Sequence, residues 1–237
     1  MLLAFAELPQ RHEWLTVFPV LAADEPELSY LLMTDAIRRG VVTLEENGGG
    51  SPPHLLARNT GADPVLMLDC ETLLGVRERH STHQSLLLGA GSTTKVPISC
   101  MDPGKWSCQE LEERFLVSQA SFPLLDSQVG ILAFLGRDLL GLDALGCPDL
   151  YASLHRRLIT GYLITALEAN GNGGSGSLAD TEDLLDLAFA LETAERVEAP
   201  NQGHGEYSTL EGAITGGELR HNGHLVHLSV FPTGVEA

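Results

Sequence analysis

The sequence predicts an α+β fold, a mainly antiparallel, sandwich-like β core with two longer helices packed on it. Three observations lead there. Short apolar runs punctuated by Gly, Pro, Asn and Asp recur up to residue 147. Two segments, 148–169 and 181–195, carry apolar residues at helical spacing. Near the C-terminus, GELRH and HLVHL flank Asn222-Gly223, the dipeptide preferred in a two-residue type I′ hairpin.

Taken in order, residues 13–22 (EWLTVFPVLA) read as a strand with Pro19 at an edge position. A short helix is expected around Thr34, which can cap it, with Ala36 and Ile37 on its apolar side and Gly40 closing it. VVTLEE reads as a strand and GGGSPP at 48–53 as a turn. In 54–101, HLLAR leads into the turn NTGADP. PVLMLDC is a nearly continuous apolar run, as in a strand covered on both faces. QSLLL, the turn GAGS and TTKVPISC then read as a hairpin. Between these strands lies ETLLGVRERHSTH, dense in ionisable groups.

Ser107 and Glu110 have capping-box spacing, which favours a short helix over 108–114, while 115–119 admits helix or strand. QVGILAF, LGRD and LLGLDAL form a second hairpin. The strongest helix, 148–169, aligns Tyr151, Leu154, Leu158, Tyr162, Leu163 and Ala166, with Pro148 in its first turn. ANGNGGSGS at 169–177 is a flexible loop tip rather than a domain boundary, so 1–237 reads as one domain. In the last hairpin a regular register would pair His221 with His224, Arg220 with Leu225, Leu219 with Val226, and Glu218 with His227.

The net charge is −18, and Lys95 and Lys105 are the only lysines. Such a surface repels phosphate backbones and anionic lipid, so neither nucleic acid nor a membrane is an expected partner. No apolar run approaches the length of a membrane span. The N-terminal stretch lacks the basic region of a signal peptide. A soluble, cytoplasmic-type protein follows as the expectation. Cys70, Cys100, Cys108 and Cys147 form no CxxC pair and read as reduced thiols.

Few segments suggest chemistry. GAGSTTK at 89–95 has no glycine directly before Lys95 and runs into a strand, so it is a turn and not a phosphate loop. His80 and His83, near Cys70 and Glu71, lack a fixed ligand spacing, and no metal site is assigned. Glu71, Arg77, Glu78 and Arg79 follow a buried strand, where a sheet can position functional groups. The arginines could hold a phosphate or carboxylate, and the carboxylate could orient a ligand or act as a base; a surface salt-bridge network is the simpler alternative. Glu218 opposite His227 could be an acid–base couple or a plain cross-strand charge pair. No GxSxG, HExxH or paired CxxC motif is present, and nothing names a cofactor.

The stretch DPVLMLDCETLLGVRERHSTHQSLLLGAGSTTKVPISCMDPGKW at 63–106 resembles a bacterial family, the ARG- and rhodanese/phosphatase-superfamily-associated protein domain. The resemblance rests on Glu71, Gly75, Arg77, Ala90-Gly91-Ser92, Val96-Pro97, Ser99-Cys100 and Trp106. It continues through QVGILAFLGRDLLGLDAL, the helix with Tyr162, and the C-terminal stretch in which His227 matches the family's "HL". VRERH after Gly75 departs from the family's AKQNR-like run, and 107–127 is short. The resemblance implies genomic company with ADP-ribosylglycohydrolases and phosphatase-like proteins, hence ADP-ribose- or NAD-linked metabolism.

Three expectations follow. The first is a binding or regulatory module for an anionic small molecule, a nucleotide or ADP-ribose-like compound, held by Arg77, Arg79 and Trp106 and oriented by Glu71. The second is a hydrolase with Glu71 or His227 as general base. The third is a structural or assembly role, with homo-oligomers formed through sheet edges.

Overall fold

The computed structural model describes residues 3–6, 8–22, 28–46, 54–68, 80–82, 84–100, 116–170 and 177–234. The fold is α+β and mostly antiparallel, with one large sheet flanked by helices and smaller sheets. The large sheet holds nine strands: β1 (Leu3–Phe5), β2 (Gln10–His12), β3 (Leu15–Ala22), β12 (Gln128–Leu135), β13 (Asp138–Leu145), β14 (Glu195–Ala199), β15 (Glu206–Glu211), β16 (Ile214–His221) and β17 (His224–Pro232). They lie in the order β1-β3-β12-β13-β17-β16-β15-β14, with β2 also paired to β3. Two three-stranded sheets are formed by β4 (Leu31–Leu32), β7 (Val65–Met67) and β9 (Leu86–Leu88), and by β5 (Val42–Glu46), β6 (His54–Asn59) and β10 (Thr93–Pro97). A two-stranded ladder joins β8 (His80–Ser81) to β11 (Ser99–Cys100).

The helices are α1 (Met33–Arg38), α2 (Leu116–Gln119), α3 (Pro148–Asn170) and α4 (Thr181–Thr193). On one face of the large sheet, Leu15, Val17, Ile131, Ala133, Leu219 and Val226 pack against α3 and against Leu32, Leu66 and Leu87 of the β4–β7–β9 sheet. On the other face, Phe18, Val20, Leu142 and Leu228 pack against α4 through Leu187. The two small sheets pack on each other through Val65, Met67, Leu86 and Leu88 against Leu55, Ala57 and Val96. β7 is therefore covered on both faces, and all three of its side chains are fully buried, as its unbroken apolar run requires. The core is thus layered like a sandwich, with α3 and the small sheets on one side of the large sheet and α4 on the other.

Several expectations change. β9 and β10 are not a hairpin: β9 pairs with β7 and β10 with β6. The turn at 89–92 carries the chain between sheets, and buried Asn59 fixes it by donating to the carbonyls of Leu88 and Gly89. Pro19 lies inside a paired strand and not at an edge. Its carbonyl accepts from Ala6 on the side where β1 and β2 leave a gap in their pairing to β3, so the missing N–H costs the β12 ladder nothing. Thr34 is not the cap of α1, which starts at Met33 after an uncapped Leu32. Gly40 does close that helix, at φ 69°. Residues 116–119 are helical, and α4 ends at Thr193 so that Glu195 can open β14. The expected helix at 108–114 lies outside the described residues.

Gly161 sits mid-helix on the exposed side of α3, and a Cβ there would meet nothing within 4 Å. Gly161→Ala is expected to stabilise the protein by about 0.5–1 kcal/mol through lost unfolded-state freedom, read as a higher midpoint in urea. A lower midpoint would show that the helix needs glycine there.

Candidate functional site

The last hairpin decides where His227 goes. Asn222 and Gly223 take φ 51° and 80°, as the type I′ turn demands, and His221 pairs with His224. The regular register then breaks. A bulge between Leu219 and Arg220 pairs Arg220 with Leu225 but Leu219 with His227, which leaves Val226 as the extra residue. Glu218 therefore pairs with Leu228, and the expected Glu218–His227 couple does not form.

The bulge separates the two residues onto opposite faces. Glu218 is 5% exposed on the α4 side. It accepts from Arg196 Nε at 2.8 Å and Arg220 Nε at 2.7 Å. Arg196 also donates to the carbonyls of Leu191 and Ala194, satisfying the C-terminal end of α4. His227 turns to the α3 side.

The bulge is pinned from outside the hairpin. Val226 O accepts from the Tyr30 hydroxyl at 2.8 Å and from Gly146 N at 3.1 Å, and Gly146 N also donates to the Tyr30 hydroxyl at 3.0 Å. Burial pushes the Tyr30 hydroxyl well above its usual pKa of 10, so it remains a donor at neutral pH.

Beneath the bulge lies a buried polar cluster built from four elements. Ser85, leading into β9, places Oγ 2.9 Å from His227 Nδ1. His227 Nε2 faces Asp143 Oδ1 of β13 at 3.8 Å, an ion-pair distance too long for a hydrogen bond. Ser229 Oγ donates to Asp143 Oδ1 at 3.0 Å, and the Tyr162 hydroxyl of α3 donates to Oδ2 at 2.6 Å. β13 and β17 pair Asp143 with Ser229 and Leu145 with His227, which puts all four side chains on one face.

Exposure sets the roles. Ser85 is only 1% exposed, so its hydroxyl orients the imidazole. The Asp143 side chain is 16% exposed and marks the more open side of the cluster. Two tautomers fit. If Ser85 donates to Nδ1, an Nε2–H faces Asp143. If Nδ1–H donates to Ser85, Nε2 keeps a lone pair toward the open side, as a general base needs.

Of the residues expected from the sequence, His227 is placed in this cluster. Glu71, Arg77, Arg79 and Trp106 lie outside the described residues, as do Cys70 and His83. The segment 69–79 is flanked by described residues that are tied together, since Thr82 Oγ1 donates to Leu68 O at 2.7 Å. Ser85 follows Thr82 by three residues. Among the described residues no group of three His, Cys, Asp or Glu could hold a metal ion. No helix among them is long and apolar enough to cross a membrane.

Sequence reasoning missed Ser85, Asp143 and Ser229. A signal existed for two of them, because Asp143 interrupts LLGLDAL and Ser229 interrupts HLVHLSVF. A polar residue inside an apolar strand needs a buried partner.

Layered sheets with a histidine held between a serine and a carboxylate define an α+β protein with a buried, ionisable polar cluster on the α3 side of its large sheet. The family to which the sequence belongs is shown separately, over nearly the whole length of the chain. The profile of the ARG and Rhodanese-Phosphatase-superfamily-associated Protein domain matches residues 6–121 and 109–231, and the chain belongs to that family. No curated protein and no solved structure matches it.

Proposed function

We propose that the protein is a binding or regulatory module for an anionic small molecule of the nucleotide or ADP-ribose type, with the His227 cluster as one wall of its site. The observation that carries this reading is the position of His227 and Asp143. They present a ring nitrogen and a carboxylate oxygen 3.8 Å apart, and His227 is held by Ser85, which lies three residues beyond Thr82, where the flanks of segment 69–79 are tied together. In this reading Arg77 and Arg79 hold the phosphates, Trp106 gives a stacking face, and Glu71 with Asp143 receives ligand hydroxyls.

A thermal-shift panel with ADP-ribose, NAD and AMP tests it. Ligand at a hundred times Kd is expected to stabilise by about 2.7 kcal/mol, a rise of roughly 5–10 °C for a chain this long. Arg77→Ala and His227→Gln should each remove most of that rise. No shift with any of the three, or equal shifts in Arg77→Ala, would refute the reading.

The Ser85–His227–Asp143 arrangement favours a second reading, a hydrolase in ADP-ribose- or NAD-linked metabolism with His227 as base toward a water, or with Glu71 in that role. Turnover of a nucleotide substrate by wild type that is lost in His227→Gln would select it. An assembly role has less support from the edge of the large sheet. β14 presents exposed Glu195, Arg196 and Glu198 around Val197, charges that oppose addition of another strand.

A further inference from the structure

We propose that residues 119–128, the strap between α2 and β12, form an acid-opened clamp whose trigger is His155 of α3. A circuit of hydrogen bonds ties the strap to α3. Leu125 N donates to Gln128 Oε1, and Gln128 Nε2 donates to the Tyr151 hydroxyl. The Tyr151 hydroxyl lies 2.8 Å from His155 Nδ1, and His155 Nε2 lies 2.9 Å from Phe122 O. The circuit thus begins and ends on the strap, at Leu125 and Phe122.

Every direction in it is dictated. Phe122 O only accepts, so His155 Nε2 carries a hydrogen. A neutral ring then accepts at Nδ1, so Tyr151 donates there while it accepts from Gln128. Gln128 spends its other amide hydrogen on Gly130 O and has none to spare. A proton on Nδ1 would set an N–H against the Tyr151 O–H. The hydroxyl would have to turn away inside a site where Tyr151 is fully buried, and its hydrogen would lose its acceptor.

The rest of the strap is held by packing beside an open cleft. Phe122 is 1% exposed and wedges against α3, with the His12 ring edge-on at 6.5 Å and Ser121 Oγ 3.2 Å from His12 Nδ1. Beside it, a cleft of about 230 Å³ is lined by Gln119, Phe122, Leu124, His155, Arg156 and Ile159. The titratable and charged groups on the elements packed around His155 are Tyr151, Arg156 and Arg157 on α3, His12 on β2 across Phe122, Asp126 on the strap, and Asp143 on β13, whose charge reaches Tyr151. Burial holds His155 below the ordinary imidazole value of 6.5, and the Phe122 carbonyl opposes this more weakly.

The sign follows. The closed strap binds fewer protons at His155 than the open one. Closure is therefore complete above pH 6.5 and weakens as pH falls from 6.5 toward the lowered value in the closed form.

Amide hydrogen exchange on the full chain at pH 7.5 and 5.0, corrected for intrinsic rates, reads the opening. Protection over 119–128 should fall at pH 5.0 relative to pH 7.5 while β12–β13 protection holds. His155→Gln keeps one donor and one acceptor and should abolish the step. A wild-type strap equally protected at both pH values overturns the clamp, as does an equal step in the variant. If His155→Gln does not fold, the wild-type His155 ring titration by NMR decides. Its midpoint must lie below 6.5, with the exchange step falling between that midpoint and 6.5; a midpoint at or above 6.5 overturns the proposal.

Discussion

The double variant Arg196→Met/Arg220→Met should lose about 3–5 kcal/mol of stability, roughly 10 °C in Tm, although both arginines are near the surface. The buried member of this group is the carboxylate. Glu218 is 5% exposed, whereas Arg196 and Arg220 are 43% and 39% exposed. Removing the cations leaves an uncompensated charge on the α4 face of the sheet, beside Leu228 and Leu187. It also uncaps the carbonyls at the end of α4. Adding Glu218→Met removes the stranded charge and should bring stability back to within about 1 kcal/mol of wild type, because replacing all members of a buried ionic group by apolar side chains is often neutral. Denaturant unfolding followed by circular dichroism reads both. A loss under about 1 kcal/mol in the double variant would mean that water reaches Glu218.

Gly146→Ala should destabilise by about 1–3 kcal/mol or more and also misplace His227. A Cβ at Gly146 would lie 2.0 Å from Leu225 O and 3.3 Å from the Tyr30 hydroxyl. The first obstacle is backbone, so β17 must move at the bulge. The Gly146 N–H shared between Val226 O and Tyr30 would stretch with it. The bulge sets the direction of His227, so the 2.9 Å contact with Ser85 should break. Unfolding gives the first effect, and the His227 ring resonances give the second. A folded variant with unchanged His227 signals would show that the bulge tolerates displacement.

Much of the fold is legible in the sequence because local chemistry and tertiary packing agree. Asn222-Gly223 names its turn, the Tyr151-to-Ala166 stripe names α3, and the apolar run 64–68 names a strand covered on both sides. Where they disagree, the reading fails for identifiable reasons. β9 and β10 flank a good turn, yet each finds its partner in a different sheet, because pairing is decided by long-range burial and not by the turn. β14 is exposed along nearly its whole length, so it has no alternation to read. The His227 register is the sharpest case. A one-residue bulge moves a side chain across the sheet, and this bulge is held by Tyr30 and Gly146, which are far away in sequence. The site was half visible for the same reason. His227 could be singled out by its place in the last hairpin and by the resemblance, but Ser85, Asp143 and Tyr162 join it only through packing of β9, β13 and α3.

The direct test of the binding reading is NMR of histidine-labelled protein titrated with ADP-ribose, NAD and AMP. The reading predicts saturable shifts of the His227 ring signals with at least one of them, at the concentration dependence of the thermal stabilisation, and their loss in Asp143→Asn. A ligand that stabilises the protein saturably while the His227 signals stay fixed would contradict it.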